Sequence, residues 1–243
     1  MKIESYGASD IGLVRLNNED VWAQLPKEQL YILADGMGGH NAGEVAANET
    51  VLLICRLIKE NYDPRRKTDE WSAILLQAIQ KANSHILTLA AKDRTMEGMG
   101  TTLCLVLFVG KSLVHAHVGD SRIYRVRKGR LTQLTRDHSL RDDLIATGEL
   151  DESLALSFPY KNVITRAIGT HKLVNPDIAN APIESGDVYF LCSDGLTDAL
   201  SDAQIHDIID ASDNLHSAVE TLIIEAKKSG GNDNITILML KVS

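Results

Sequence analysis

Four aspartates in this chain stand where strand-like runs meet turn-like sequence, and their oxygens could do chemistry together. Asp35 directly follows the apolar run 30–34 and precedes Gly36, and Asp194 follows the run 187–192 and precedes Gly195. Asp120, in Val118-Gly119-Asp120-Ser121, interrupts two strand-like runs, and Asp233 precedes the run that starts near Ile235. If packed sheets bring these ends to one edge, four carboxylates share a small volume, and their repulsion would force some of them to hold protons. A divalent cation removes that conflict. The ligand candidates are all oxygens, which suits Mg²⁺ or Mn²⁺ better than zinc. Glycine after Asp35 would let a cation approach the Gly36 carbonyl. Two such ions about 3.5–4 Å apart can share a carboxylate and a water, acidifying that water until hydroxide is available at neutral pH. Hydroxide there is a nucleophile for phosphorus. Arg15, just upstream of Glu19 and Asp20, could grip phosphate oxygens with both arms of its guanidinium, a geometry lysine cannot reproduce. An Asp-Gly pair at a strand end is also commonly just a turn, so spacing alone leaves a structural reading open beside the metal reading.

The elements that must position these residues follow from periodicity. Apolar residues recur at helical intervals over 44–61 and 70–92, and further helices are expected near 202–209 and 214–228. Strands are expected at 30–34, 101–109, 113–118, 122–126, 187–192 and 235–242, several of them rich in β-branched residues. Lys128-Gly129 reads as a hairpin turn, and the other connections in 101–134 are too short for crossover helices, so those strands should be antiparallel. Long helices before and after strand clusters predict an α+β layered sandwich rather than a doubly wound sheet. The irregular stretch 141–162, with Gly148, an acidic run at 149–152 and Pro159, reads as a surface flap.

Composition narrows the function. The chain has 243 residues, 44% of them hydrophobic, enough for a substantial core, and 1–243 is read as one domain. A formal net charge of -8 gives no reason to expect nucleic acid or an anionic membrane as a partner. The longest apolar run, about 103–109, is far short of a bilayer span, and the N-terminus lacks a leader pattern, so a cytoplasmic protein is expected. Cys55, Cys104 and Cys192 lie in apolar segments and read as buried thiols. No arginine follows Cys104 or Cys192 closely enough for cysteine-based phosphate chemistry. His115-Ala116-His117 hints at a metal motif but lacks that motif's aspartate-histidine pair, and alternate strand residues project together anyway. The glycines of 36–39 lack the lysine and hydroxyl residue of a nucleotide-binding loop. Arg65-Arg66-Lys67 reads as a solvated loop.

Taken in order, the motifs are Arg15-x-x-x-Glu19-Asp20, Asp35-Gly36-Met37-Gly38-Gly39-His40, Gly100-Thr101-Thr102, Val118-Gly119-Asp120-Ser121-Arg122, Leu134-Thr135-Arg136-Asp137-His138-Ser139, Ile164-Thr165-Arg166-Ala167-Ile168-Gly169, Ser193-Asp194-Gly195-Leu196 and Asp233-Asn234-Ile235-Thr236. Over nearly the whole chain this series resembles the metal-dependent protein phosphatase family, also called the protein phosphatase 2C family, in its compact bacterial form. The resemblance implies a four-layer α-β-β-α sandwich of two antiparallel sheets flanked by helix pairs. It implies hydrolysis of phosphoserine and phosphothreonine in proteins by a metal-bridged hydroxide, in line and without a phosphoenzyme. Asp35 would bridge two metals, Asp194 and Asp233 would complete the first, and the Gly36 carbonyl would ligate the second. Glu19 or Asp20 would hold the second metal's waters, Asp120 with Asp194 would hold a third ion, and Arg15 would bind phosphate. His40 would protonate the leaving alkoxide by proximity only, because Met37 stands where animal relatives carry a histidine, and a water could replace it. His138 would support the base of the flap. Implied partners are phosphorylated proteins, including a serine/threonine kinase and its substrates, met by a monomer. Two other readings share these motifs: a catalytically dead phosphoprotein-binding module and a hydrolase of small phosphate esters.

Overall fold

The computed structural model describes residues 2–38, 42–160 and 163–243. The chain opens with strands β1 (Ile3–Asp10), β2 (Asp20–Leu25) and β3 (Leu30–Met37), followed by helices α1 (Ala42–Glu60) and α2 (Thr68–Lys92). A two-residue strand β4 (Gly100–Thr101) leads into β5 (Leu103–Val109), β6 (Ser112–Val118), β7 (Arg122–Arg127) and β8 (Arg130–Gln133). Helix α3 (Leu140–Thr147), strand β9 (Asp177–Pro182), strand β10 (Val188–Cys192), the single turn α4 (Asp194–Thr197), helices α5 (Asp202–Asp210) and α6 (Leu215–Lys228), and strand β11 (Ile235–Val242) complete it.

These strands form two antiparallel sheets, one ordered β1-β11-β10-β7-β8 and the other β2-β3-β5-β6-β9, with β4 paired to β3. Period-two alternation decides which residues face which layer. In β3, Leu30, Ile32 and Ala34 pack against α1 and α2, whereas Tyr31 and Leu33 point to the other sheet. The middle layer joins Tyr31, Leu33, Val106 and Phe108 to Ile123, Tyr189, Leu191, Leu238 and Leu240. A third cluster seats Leu215, Val219, Leu222 and Ala226 of α6 on Phe190, Ile237 and Met239. Three apolar interfaces between four layers are the α-β-β-α sandwich that the family resemblance implies.

Helix boundaries obey local rules. Ser201 caps α5 by accepting the Gln204 N–H, Asn214 caps α6 at Ser217, and Gly148 ends α3 with φ of 76°. The hairpin at Lys128-Gly129 has positive φ at both residues, 51° and 71°, as a tight turn between β7 and β8 requires. Two expectations need correction. Asp35 lies within β3, not beyond its end, and the run 101–109 is two strands broken at Thr102. The break has a cause: the Thr102 N–H donates to the Asp35 carbonyl and Thr102 Oγ1 accepts the Asp35 N–H, so Thr102 serves β3's backbone. The segment 141–162 is partly helical, beginning inside α3 and containing a 3-10 turn at Glu152–Ser157.

Candidate metal centre

One edge of the sandwich gathers the residues singled out from the sequence. Arg15, Glu19, Asp35, Gly36, Asp120, Asp194 and Asp233 line a single cleft of about 170 Å³, with Met37, Gly38, Thr102, Ile164 and Asn234. The strand pairings explain the convergence. Asp20 is paired directly with Asp35 across β2 and β3, while Asp194 opens α4 just after β10 and Asp233 stands just before the neighbouring β11. Of the two candidates for the second metal's waters, Glu19 lines the cleft and Asp20 lies behind it. Asp20 is buried, with Oδ2 accepting the Ser193 hydroxyl at 2.8 Å.

Electrostatics make this edge unstable unless a cation is present. Burial, then the charges of Asp20, Asp194, Asp120 and Asp233, raises the Asp35 carboxyl well above its ordinary range. Burial, then Asp120 and Asp233, does the same to Asp194. Asp120 is pushed up to about 7 by burial and then Asp137, and Asp20 to about 6, chiefly by burial. Meanwhile Oδ1 of Asp20, of Asp120 and of Asp194 is buried without a hydrogen-bond partner among the described residues. Buried polar atoms are seldom left unpaired, and three on neighbouring carboxylates need a positive partner. An all-oxygen donor set fits a hard divalent cation.

Several supporting residues escape a reading based on carboxylates. Asn234 accepts the Glu19 N–H on Oδ1 and donates from Nδ2 to the carbonyls of Ile11 and Asn17, fastening the 11–19 loop to the start of β11. Thr101 Oγ1 donates to the Asp35 carbonyl, and Thr102 Oγ1 meets Ser121 Oγ at 2.7 Å. The hydroxyls in Gly100-Thr101-Thr102 and the asparagine after Asp233 were the available signals. Gly36 also changes meaning. A Cβ there would lie 2.2 Å from the Gly43 carbonyl oxygen, so glycine is demanded by the close approach of α1's first turn. Arg15 sits with its side chain half-exposed and Nη2 2.5 Å from Asp233 Oδ2, at the mouth of the cleft. His40 lies outside the described residues.

A second cluster, His117, His138 and Asp177, has potential ligand atoms within 4.8 Å of one another. Its hydrogen bonds argue against a metal. His138 Nδ1 accepts the Gly119 N–H, which leaves the ring proton on Nε2, facing Asp177 Oδ2 at 3.2 Å. The Arg166 guanidinium lies 3.3 Å from that same nitrogen and 3.4 Å from Asp177. His117 Nε2 and the His138 N–H both reach the Gly119 carbonyl, so the two histidines pin the peptide that precedes Asp120. Gly119 has φ of 103° and no room for a Cβ, which would meet Thr102 Cβ at 2.7 Å. The His138 carbonyl accepts the Thr165 N–H, joining this cluster to the residues that follow the 141–162 segment.

Comparison with known proteins agrees with this geometry. The protein phosphatase 2C family model matches residues 14–227. The serine/threonine phosphatase stp of Listeria innocua is 36% identical over 236 residues, covering 96% of this chain and 93% of that protein. The crystal structure of the Mycobacterium tuberculosis serine/threonine phosphatase PstP/Ppp superposes with a TM-score of 0.92 at 36% identity, over the full length of both chains. The catalytic domain of PstP in complex with two manganese ions superposes with a TM-score of 0.87 at 35% identity, covering 99% of each chain. The chain belongs to the protein phosphatase 2C family of serine/threonine phosphatases.

Proposed function

We propose that this chain, folded as one domain, removes phosphate from phosphoserine and phosphothreonine in proteins at the Asp35 cleft. The observation that carries this is the set of buried, unpartnered carboxylate oxygens on Asp20, Asp120 and Asp194, placed beside Asp35 and Arg15. Asp35, Asp194 and Asp233, with the Gly36 carbonyl, would hold two divalent cations, Mn²⁺ as in the PstP complex or Mg²⁺, with Glu19 orienting the waters around them. Asp120 and Asp194 would hold a third. Bound there, the cations would neutralise the carboxylates and acidify a water enough to attack phosphorus at neutral pH.

The rest is the work of this chain's own groups. Arg15 can trade its contact with Asp233 for phosphate oxygens, fixing the ester by paired N–H donors at the cleft mouth. Thr101, Thr102 and Asn234 hold Asp35 and Glu19 through backbone hydrogen bonds, so the site is preorganised. The departing alkoxide takes a proton, and His40 is the proposed donor from its place four residues after Gly36 in the sequence. The 141–162 segment would serve as a flap whose base is tied by His138. Within a cell, the partners would be proteins phosphorylated by a serine/threonine kinase, the kinase among them, met by a cytoplasmic monomer. No helix among the described residues is long and apolar enough to cross a membrane. Asp35, Asp120, Asp194 and Asp233 fill the aspartate positions that the resemblance implies and all line the cleft, which favours an enzyme over a phosphoprotein-binding module.

The test uses a phosphothreonine peptide with Mn²⁺, with EDTA in place of the metal, and with Asp35→Asn in Mn²⁺. Turnover is expected only for the native protein with metal, and metal-independent turnover would overturn the mechanism.

A further inference from the structure

The loop that carries Arg15 is unusually apolar for an exposed rim. Between Asp10 and Asn17 the sequence is Ile-Gly-Leu-Val-Arg-Leu, with Arg15 the only polar side chain. Its apolar members stand in solvent: Ile11 is 38% exposed, Leu13 64%, Val14 62% and Leu16 98%. Single exposed leucines are ordinary, but four exposed apolar side chains within six residues of one rim loop are a concentration of apolar surface.

This loop is also held in place. The Leu13 N–H donates to the Gly231 carbonyl at 2.7 Å, and the Gly12 N–H donates to Asp10 Oδ1, which is on a carboxylate that also meets Lys227. Gly12 has φ of 80°, and a Cβ there would fall 2.3 Å from the Asp233 carbonyl oxygen, so the loop lies directly on the strand lead that supplies Asp233. Asn234 fastens both its ends. The apolar side chains are thus presented by a fixed scaffold rather than left over from a frayed one. Fixed presentation lowers the ordering cost of binding.

From this continuity with the cleft we propose that Leu13, Val14 and Leu16 form the docking surface for the substrate chain, and that the preferred substrates are phosphopeptides with apolar residues flanking the phosphorylated position. The inference rests on Arg15 being the phosphate-binding group. Val14 and Leu16 stand on either side of Arg15 in the chain, so a peptide whose phosphate meets Arg15 has its flanking residues, about 3.8 Å apart along the backbone, within reach of this loop. An apolar flank would cover the Leu13, Val14 and Leu16 surface now facing water, which a charged flank would leave wet. Ile164 lines the same cleft and extends the apolar contact.

The test compares two phosphothreonine peptides, identical except for leucines or serines on both sides of the phosphothreonine, with p-nitrophenyl phosphate as a substrate too small to reach the loop. The native protein with Mn²⁺ should favour the leucine peptide about tenfold in kcat/KM, expressed in KM, equivalent to ~1.4 kcal/mol. Leu13→Ser with Leu16→Ser should abolish that preference by raising KM for the leucine peptide. Leu173→Ser, an equally exposed leucine in the turn before β9, should leave every rate as it was. Equal use of both peptides by the native protein would overturn the docking surface while leaving the phosphatase reading intact. So would a double variant that loses p-nitrophenyl phosphate and both peptides in the same proportion. Failure of the native protein on all three substrates would sink the phosphatase reading, and this inference with it.

Discussion

Strand β10 has an aspartate beside a glycine near each end, and the two meet opposite fates. Asp187, next to Gly186, is almost fully buried and accepts hydrogen bonds from Arg127 at 2.7 and 2.6 Å, from the Glu184 N–H and from the Tyr189 hydroxyl. Burial alone would raise its carboxyl, yet those bonds, led by Arg127, hold it below its ordinary value. Asp194, next to Gly195, has a buried Oδ1 with no described partner and a carboxyl raised by burial and by Asp120 and Asp233. The nearest arginine on the neighbouring strand, Arg122, is paired in register with Cys192 but spends its guanidinium on Asp137. A buried aspartate whose charge the protein compensates is part of the scaffold, and one whose charge it leaves uncompensated awaits a cation.

Exchanging the two aspartates for asparagine gives the largest contrast. Asp194→Asn should lower turnover of a phosphothreonine peptide in Mn²⁺ by about 10³-fold or more, as expected when several kcal/mol of charge stabilisation are lost. Its metal-free form should melt no lower than the native one, since a repelling charge is gone. Asp187→Asn should keep turnover but leave Arg127 facing a neutral amide, a loss of about 3–5 kcal/mol for a broken buried pair, or roughly 10 °C in Tm. If calorimetry shows both variants equally destabilised, the distinction fails.

The two regions should also oppose each other in pH. Groups with raised carboxyls bind protons more tightly when folded, so they add stability below their unfolded pKa near 3.8 and lose it as pH rises through the folded value. Metal-free protein should therefore weaken between about pH 4 and 7, as Asp20 near 6 and Asp120 near 7 lose their protons. Asp187 acts in reverse, adding stability above 3.8 that is lost on acidification. Thermal melts in EDTA across this range, repeated in excess Mn²⁺, read the difference: saturating metal should flatten the fall toward neutrality. A metal-free protein that gains stability from pH 4 to 7 would contradict the charges assigned to the cleft.

The smallest effect is expected at Asp120, assigned to a third ion and pinned through Gly119 by His117 and His138. Asp120→Asn should reduce turnover only about tenfold and raise the Mn²⁺ concentration needed for half-maximal rate. A loss as large as that of Asp194→Asn would place Asp120 in the principal pair's shell instead.

Much of this was legible in the residues. The apolar runs at 30–34 and 235–242, the helical recurrence in 70–92 and the Lys128-Gly129 turn all follow local rules, and the structure keeps them. Strands β1, β2 and β9 were not legible, because half-exposed edge segments such as Asp177–Pro182 carry no continuous apolar run. Thr102 and Asn234 were visible only as members of motifs, since their work is on backbone atoms distant in sequence. Gly36 has a second reason that was not legible, because nothing local announces that Gly43 will lie against it.

By itself the sequence determined the kinds of atoms available and the ends of the elements that carry them: aspartates beside glycines, an arginine before an acidic pair, and no cysteine or lysine suited to the other phosphate chemistries. It pointed to Asp194 by motif, but nothing local says that Asp187, after Gly186, is neutralised while Asp194, before Gly195, is not. That decision belongs to the tertiary structure, because a carboxylate's charge state depends on what arrives within a few ångströms from other strands. Arg127 arrives at one end of β10, whereas carboxylates crowd the other and Arg15 at the cleft mouth is engaged by Asp233.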